Sequence, residues 1–215
     1  MRYWLAFFSL CACATLGYGQ SFEVAVSGGV SRFGDTSLGT VSTDPTDAKI
    51  TMSNGFRLTF RGAFNTWRFF GHEVGFAYNH TSLTIPASTS ISTGGLPGQA
   101  PAATTTEAQQ IGMSIWQGFY DFMAYATPEG THVRPFVCGG AGFTSFFPPG
   151  SSVYYGNQET KFGINYGGGL KVRLNDMWGV RVDYRQFLTP KPFGFPNQSG
   201  WLGQTEISAG VSLNM

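Results

Sequence analysis

An all-β fold, an eight-stranded antiparallel up-and-down barrel, is the fold class that the sequence predicts. Eight segments alternate apolar and polar residues with a period of two, which is the side-chain period of a β-strand. Long and short connections alternate between these segments, as they do in up-and-down barrels whose two rims differ. The sequence shows no helical periodicity of useful length.

The alternation is clearest in the segment pair 162–187. From Phe162 to Leu174 the even positions are apolar apart from one glycine, and the odd positions hold Gly, Asn, Lys and Arg. After a turn at 175–177 the apolar residues Val180, Val182 and Tyr184 alternate with Arg181, Asp183 and Arg185. This pair is therefore predicted to be a hairpin with one apolar face and one charged face.

The other strands follow from the same pattern. They are predicted, in chain order, at 22–30, 49–64, 70–79, 109–125, 133–143 and 201–215. Long connections are predicted at 34–48, 82–108, 146–158 and 188–200, and the remaining short turns at 65–68 and 127–130.

Two strands need comment. In the second, Ile50 and Met52 are expected to share a face with Phe56 and Phe60. The fourth carries apolar residues on both faces, which either a β-bulge or a tightly packed interior would explain.

The charged residues decide which face of the barrel meets lipid. They take the positions opposite the large aliphatic residues throughout. A soluble barrel would have to place most of the 20 Phe and 9 Tyr residues inside. Eight strands enclose a lumen that only just admits side chains, so that arrangement does not fit. The apolar face is therefore predicted to contact lipid, which makes this a transmembrane β-barrel.

The inward face is predicted to carry a paired charge network, because buried charges persist only when they are paired. Such a network would plug the lumen. Lys161 and Asp121 share the charged face, and glycines on it would make room for long side chains. The predicted structural network consists of Glu23, Arg57, Arg61, Glu73, Arg134, Lys171, Arg173, Arg181, Asp183, Arg185 and Glu206. Trp67, Phe69, Phe70, Trp178 and Trp201 are expected to form interfacial girdles.

The first residues are typical of an export signal. A positive residue, Arg2, precedes an apolar run, and small residues end at Gly19. Residues 1–19 are therefore predicted to be a cleaved signal peptide and 20–215 the barrel domain. Lipidation at Cys13 is an alternative. Cleavage leaves Cys138 alone in the mature chain, which excludes an internal disulfide.

Composition narrows the functional classes. Charged residues make up 12% of the chain and the net charge is +1. A near-neutral chain lacks the basic field that holds nucleic acid, so no nucleic-acid partner is predicted.

Three stretches together resemble the small OmpA-like and OmpX-like outer-membrane barrels. They are Arg134-Pro135-Phe136-Val137, the run 162–169 (Phe-Gly-Ile-Asn-Tyr-Gly-Gly-Gly), and the run 178–185 (Trp-Gly-Val-Arg-Val-Asp-Tyr-Arg). The resemblance covers the whole mature chain and implies a barrel in the bacterial outer membrane. Such barrels usually end in an aromatic residue that the assembly machinery reads, whereas this chain ends in Met215.

The sequence predicts no catalytic, cofactor or metal site. Among the three histidines, only His80 is expected at the rim of the long loops, beside Thr81 and Ser82. Asp35, Asp44 and Asp47 in the first long loop do not match a calcium-loop spacing.

The main hypothesis is a non-enzymatic outer-membrane barrel with a structural or surface-interaction role. A narrow porin-like channel is the first alternative, and a lipid-modifying enzyme acting at the rim is the second alternative. The expected partners are outer-membrane lipid and lipopolysaccharide, the barrel-assembly machinery through the C-terminal strand, and a surface ligand at the long loops.

Overall fold

The computed structural model describes residues 21–34, 37–44, 47–92, 102–148 and 158–215. These residues form strands and connections, with no helix among them. The predicted signal peptide, Cys13 and Asp35 lie outside the described residues. The strands are β1 (Phe22–Phe33), β2 (Ser37–Thr40), β3 (Lys49–Met52), β4 (Gly55–Trp67), β5 (Phe70–Ile85), β6 (Ser88–Ser92), β7 (Ala102–Thr106), β8 (Gln109–Tyr125), β9 (Val133–Phe147), β10 (Glu159–Arg173), β11 (Trp178–Pro190) and β12 (Trp201–Asn214).

Eight long strands close into a barrel. Around the barrel the order is β1, β4, β5, β8, β9, β10, β11 and β12, each antiparallel to its neighbours. The β1–β12 pairing joins the first and last barrel strands, with Val26 opposite Val211. The predicted eight-stranded antiparallel up-and-down barrel is confirmed, and closure leaves no barrel strand with an unpaired edge.

The four short strands extend the barrel at the rim of the long loops. β2 pairs with β3, and β3 pairs with β5 through Thr51–Thr84 and Met52–Leu83. β6 and β7 form a separate two-stranded sheet within the second long connection. The rim of the long loops therefore has additional ordered structure above the barrel.

The expectation that Ile50 and Met52 share a face with Phe56 and Phe60 is wrong. Ile50 and Met52 are 3% and 1% exposed, whereas Phe56 is 57% exposed. The predicted strand is interrupted after Met52, where Ser53 donates its backbone N–H to the Ser82 carbonyl oxygen at 2.9 Å. Alternation preserves a face only along an uninterrupted strand, so β3 and β4 orient their even residues differently.

The two-sided apolar pattern of β8 reflects a packed interior. Its pairings with β5 and with β9 run without a register shift, so no bulge is needed. The inward side chains of Met113, Ile115 and Phe119 are buried, while Trp116 and Tyr120 are exposed on the outer face.

Large apolar side chains cover the outer face of the barrel, as a lipid-facing surface requires. Phe60, Val74, Tyr184 and Val211 are each about half exposed. The five predicted girdle residues are also exposed, and the Trp67 and Phe70 rings meet edge to face at 6.2 Å. Across the described ranges, no helix is long and apolar enough to cross a membrane.

Candidate functional site in the lumen

The inward faces of the eight barrel strands bring charged residues from the whole chain into one buried cluster. Successive side chains of a strand alternate between its two faces. The odd residues of β1, β4, β5, β8, β10 and β11 and the even residues of β9 and β12 therefore point inward. Arg57, Arg181 and Arg185 are among the largest fully buried side chains.

Glu73 lies at the centre of the cluster. Its carboxylate accepts hydrogen bonds from Arg181 Nη1 at 2.9 Å and from Arg185 Nη2 at 2.5 Å. Arg61 Nε is 3.4 Å from the same carboxylate. Three guanidinium groups therefore surround one fully buried acid, which stabilises its ionised form.

Two aspartates share the same arginines. Asp183 accepts from Arg181 Nε at 2.8 Å and Nη2 at 2.7 Å, a bidentate pair. Asp121 pairs with Arg185 and also accepts a hydrogen bond from the Asn165 amide. Bidentate geometry fixes the orientation of both partners as well as their separation.

Glu206 anchors the side of the cluster nearer the long loops. Arg61 Nη2 lies 2.5 Å from Oε1, and Arg57 Nε lies 2.9 Å from Oε2. The Ser208 hydroxyl donates to Oε1 at 2.6 Å. The Arg57 guanidinium also stacks on the Phe187 ring, 4.6 Å from its centroid.

A further pair lies toward the short turns. Lys171 Nζ donates to Glu23 Oε2 at 2.6 Å and to the Tyr125 hydroxyl at 3.2 Å. Arg181 Nη1 is 3.7 Å from the other Glu23 oxygen. Glu23 thereby connects this pair to the central cluster.

Neutral amide side chains complete the network, although the predicted network named only charged residues. Gln117 accepts a hydrogen bond from Arg57 and donates to Gln204 at 2.9 Å and Thr144 at 3.0 Å. The alternation along the strands predicts that these residues face inward. It does not predict that they join the network, because an uncharged polar side chain can face inward without a charged partner.

Two predicted members stand apart. Arg173 lies outside the cluster, because its guanidinium reaches the rim, where Nη2 is 3.3 Å from Asp176 Oδ1 in the turn. Arg134 is buried, at 8% exposure, with its guanidinium 3.7 Å from the Tyr125 ring centroid. It has no acidic partner among the described residues.

The inward glycines lie where the interior is crowded. A Cβ added to Gly75 would overlap the Phe119 ring, and one added to Gly169 would lie 2.8 Å from the Phe136 ring. Glycine at these positions lets inward aromatic rings pass close to the barrel wall.

An apolar cluster that the sequence analysis did not predict fills the lumen at the rim of the long loops. We call it the apolar cap. Phe193 and Phe195 of the last long connection pack against it. Its buried members are Phe33, Leu38, Ile50, Met52, Leu83, Met113, Ile115, Phe146 and Leu202.

Among the described residues, the structure shows no catalytic or metal site at the candidates that the sequence offered. His80 lies on the outer surface, in a groove lined by Arg32, Asn54, Ser82 and others, with no acid among the lining residues. No group of three or more His, Cys, Asp or Glu residues able to hold a metal occurs among the described residues. Cys138 is buried, and its thiol is free.

A closed eight-stranded barrel with an apolar outer face and a charged interior defines the class of outer-membrane barrels. The family model for the outer membrane protein beta-barrel domain matches residues 4–214. The chain belongs to this family and is a protein of the bacterial outer membrane.

Solved structures resemble the chain in fold. Neisserial surface protein A (NspA) is 11% identical with a TM-score of 0.49, covering 91% of this chain and 96% of its own. Ail of Yersinia pestis, in complex with the heparin analogue sucrose octasulfate, is 10% identical with a TM-score of 0.47 and coverages of 91% and 97%. The N-terminal β-barrel domain of Pseudomonas aeruginosa OprF is 13% identical with a TM-score of 0.45 and the same coverages. A search of curated proteins found no match.

Proposed function

We propose that this protein is a non-enzymatic integral outer-membrane barrel with a structural and surface-interaction role, and that its lumen is closed to solutes. The observation that supports this proposal is the filling of the lumen at two successive levels. The charge network occupies the middle of the barrel, and the apolar cap occupies the end at the long loops.

The burial of the charged side chains argues against a water-filled path. Arg57, Glu73, Arg185 and Glu206 are each 0% exposed, and Arg181 is 1% exposed. An aqueous channel, like that of the large porins, would expose inward side chains along its length. The ion pairs instead hold the inward charges against one another.

The apolar cap closes a second level. Leu38 and Ile115 are fully buried, and Phe146 is 1% exposed. Polar solutes would have to displace close-packed apolar side chains to pass this level, which makes the cap a barrier independent of the charges below it.

The proposed surface role rests on the architecture of the rim. The β2–β3 and β6–β7 pairs extend beyond the barrel at the same rim, the one that faces outward in outer-membrane barrels. A surface ligand would contact these extensions, and outer-membrane lipid and lipopolysaccharide would contact the exposed apolar face. We also propose that the barrel-assembly machinery engages the C-terminal strand β12, which closes the barrel against β1.

Planar-bilayer conductance tests whether the lumen is closed. Refolded protein, shown to be folded by heat-modifiable gel migration, is expected to give no steady unitary current. Steady currents that change in Arg57→Gln and Arg181→Gln but not in Lys161→Gln would contradict the proposal and favour the porin-like alternative. Lys161 is the matched control because it lies at the rim, paired with Glu159 at 2.5 Å.

The same structure argues against a rim-located lipid-modifying enzyme. General acid–base or nucleophilic chemistry at His80 would need an orienting acid or an activated nucleophile within hydrogen-bond reach. The residues that line the His80 groove include Thr81 and Ser82 but no carboxylate.

A further inference from the structure

A small vestibule opens at the rim of the short turns, on the opposite side of the charge network from the apolar cap. Its volume is about 140 Å³. Residues from six strands and two turns line it, and Arg134, Lys171, Arg173, Glu129 and Asn65 are among its polar and charged members. This rim faces the periplasm in outer-membrane barrels.

Arg134 is a cation of this lining that has no acidic partner among the described residues. Its Nε and Nη2 atoms are buried and have no hydrogen-bond partner among the described residues. These two nitrogens form one edge of the guanidinium group, the edge that binds a carboxylate or phosphate with two parallel hydrogen bonds. Stacking on Tyr125 holds the plane of the group.

The barrel register explains why Arg134 lacks a partner. Lys171 lies directly opposite Arg134 on one side and opposite Arg181 on the other, so three cations stand in a row on adjacent strands. Glu23 pairs with Lys171 at 2.6 Å and approaches Arg181 at 3.7 Å. Like charges placed opposite each other destabilise a sheet unless an anion compensates them.

The other charged residues of the vestibule do not supply that anion. Arg173 pairs with Asp176 in the turn. Glu129 is half-buried, and its Oε1 accepts hydrogen bonds from Ser21 and from Asn65 Nδ2. Within the row of three cations, Lys171 and Arg181 have a carboxylate within ion-pair distance, and Arg134 has none among the described residues.

We propose that the vestibule binds a small oxyanion, a phosphate or carboxylate group, on the guanidinium group of Arg134. The vestibule is large enough for such a group with accompanying water, since one water needs only about 10–15 Å³ of such volume. The ligand would enter from the periplasmic rim and would neutralise the row of cations. This inference is independent of any conductance of the lumen.

Titration of inorganic phosphate followed by ³¹P NMR tests the proposal. The folded protein is held in an alkyl maltoside, which contains no phosphate, at constant ionic strength set with chloride. The parent protein is expected to broaden the phosphate signal saturably. In Arg134→Gln the affinity is expected to fall roughly 30-fold or more, because losing one partner of a buried charge pair weakens binding on that scale.

Arg68→Gln is the matched control, because Arg68 belongs to a short turn at the same rim and is exposed. It is expected to bind phosphate as the parent does. Arg134→Lys keeps the charge but loses the two-nitrogen edge, so weaker binding is expected, and this variant decides the question if Arg134→Gln does not fold. A parent with no saturable broadening, or equal binding by the parent and a folded Arg134 variant, would overturn the proposal.

Acetate competition identifies the class of anion. Displacement of phosphate by acetate from the parent would show that carboxylates also occupy the Arg134 edge. Phosphate binding that acetate leaves unchanged would assign the site to phosphate groups.

Discussion

The two halves of the lumen are filled by different chemistry. Toward the long loops, Leu38, Ile115 and Phe146 belong to an apolar cap that includes side chains from the short strands β2 and β3. Toward the short turns, arginines and carboxylates fill the same narrow space through ion pairs. The apolar half can lose a group and keep its neighbours satisfied, whereas removal of one charge leaves another buried and unpaired.

The charge network and the apolar cap also differ in the strands that contribute their residues. The charge network draws on barrel strands alone, so its geometry depends on barrel register. The apolar cap contains Leu38 and Ile50 from the rim extension as well as Leu202 from β12. The cap therefore connects the long loops to the barrel, and the network connects the barrel strands to one another.

The largest effect is expected from breaking the charge network at Glu73. In Glu73→Gln, three arginines lose a shared carboxylate, and the free energy of unfolding is expected to fall by about 3–5 kcal/mol. Urea titration of protein refolded into lipid vesicles, followed by tryptophan fluorescence, measures this change.

Glu159→Gln is the control for that change. Glu159 pairs with Lys161 at 2.5 Å, but both side chains are about one third exposed. Its removal is expected to cost about 0–1 kcal/mol. Equal losses in the two variants would mean that the buried network is no more important than a rim ion pair.

A smaller effect is expected in the apolar cap. Met113→Ala would leave a cavity among close-packed side chains and is expected to lower the free energy of unfolding by about 2–5 kcal/mol. Met113→Leu conserves volume and should change it by less than about 1.5 kcal/mol. If the alanine variant unfolds like the parent in the same urea titration, the cap is not packed as the structure shows.

Of the three disruptive substitutions, the one at an inward glycine is expected to have the smallest effect. Gly75→Ala introduces a methyl group where the Phe119 ring lies and is expected to cost about 1–3 kcal/mol by overpacking. Gly28→Ala is the control, since a Cβ there meets nothing within 4 Å. A loss in Gly28→Ala as large as that in Gly75→Ala, measured by urea titration, would contradict the steric explanation.

Much of the barrel could be predicted because alternation is a local property of the chain. The parity of Glu73, Arg181 and Asp183 indicated the inward face before any pairing was known. However, the alternation does not show how far along the barrel axis a side chain lies. Arg173 has the same parity as Lys171, but it lies two residues closer to the turn and pairs with Asp176 at the rim.

The apolar cap escaped prediction for a related reason. Ile50 and Met52 have the same parity as Phe56, and nothing local distinguishes an apolar side chain facing lipid from one facing an apolar part of the lumen. The break after Met52 reverses the orientation, and at the break Ser53 donates a hydrogen bond to Ser82 on another strand.

By itself, the sequence determined the number of barrel strands, their antiparallel layout and the face that meets lipid, because the period of two and the placement of charges are local properties of the chain. Tertiary structure alone decided which charges meet, and it left Arg134 without an acidic partner among the described residues. Register brings Arg181 to Glu73 across 108 residues and places Arg134 opposite Lys171. Long-range pairing sets those heights and neighbours, and no local pattern encodes them.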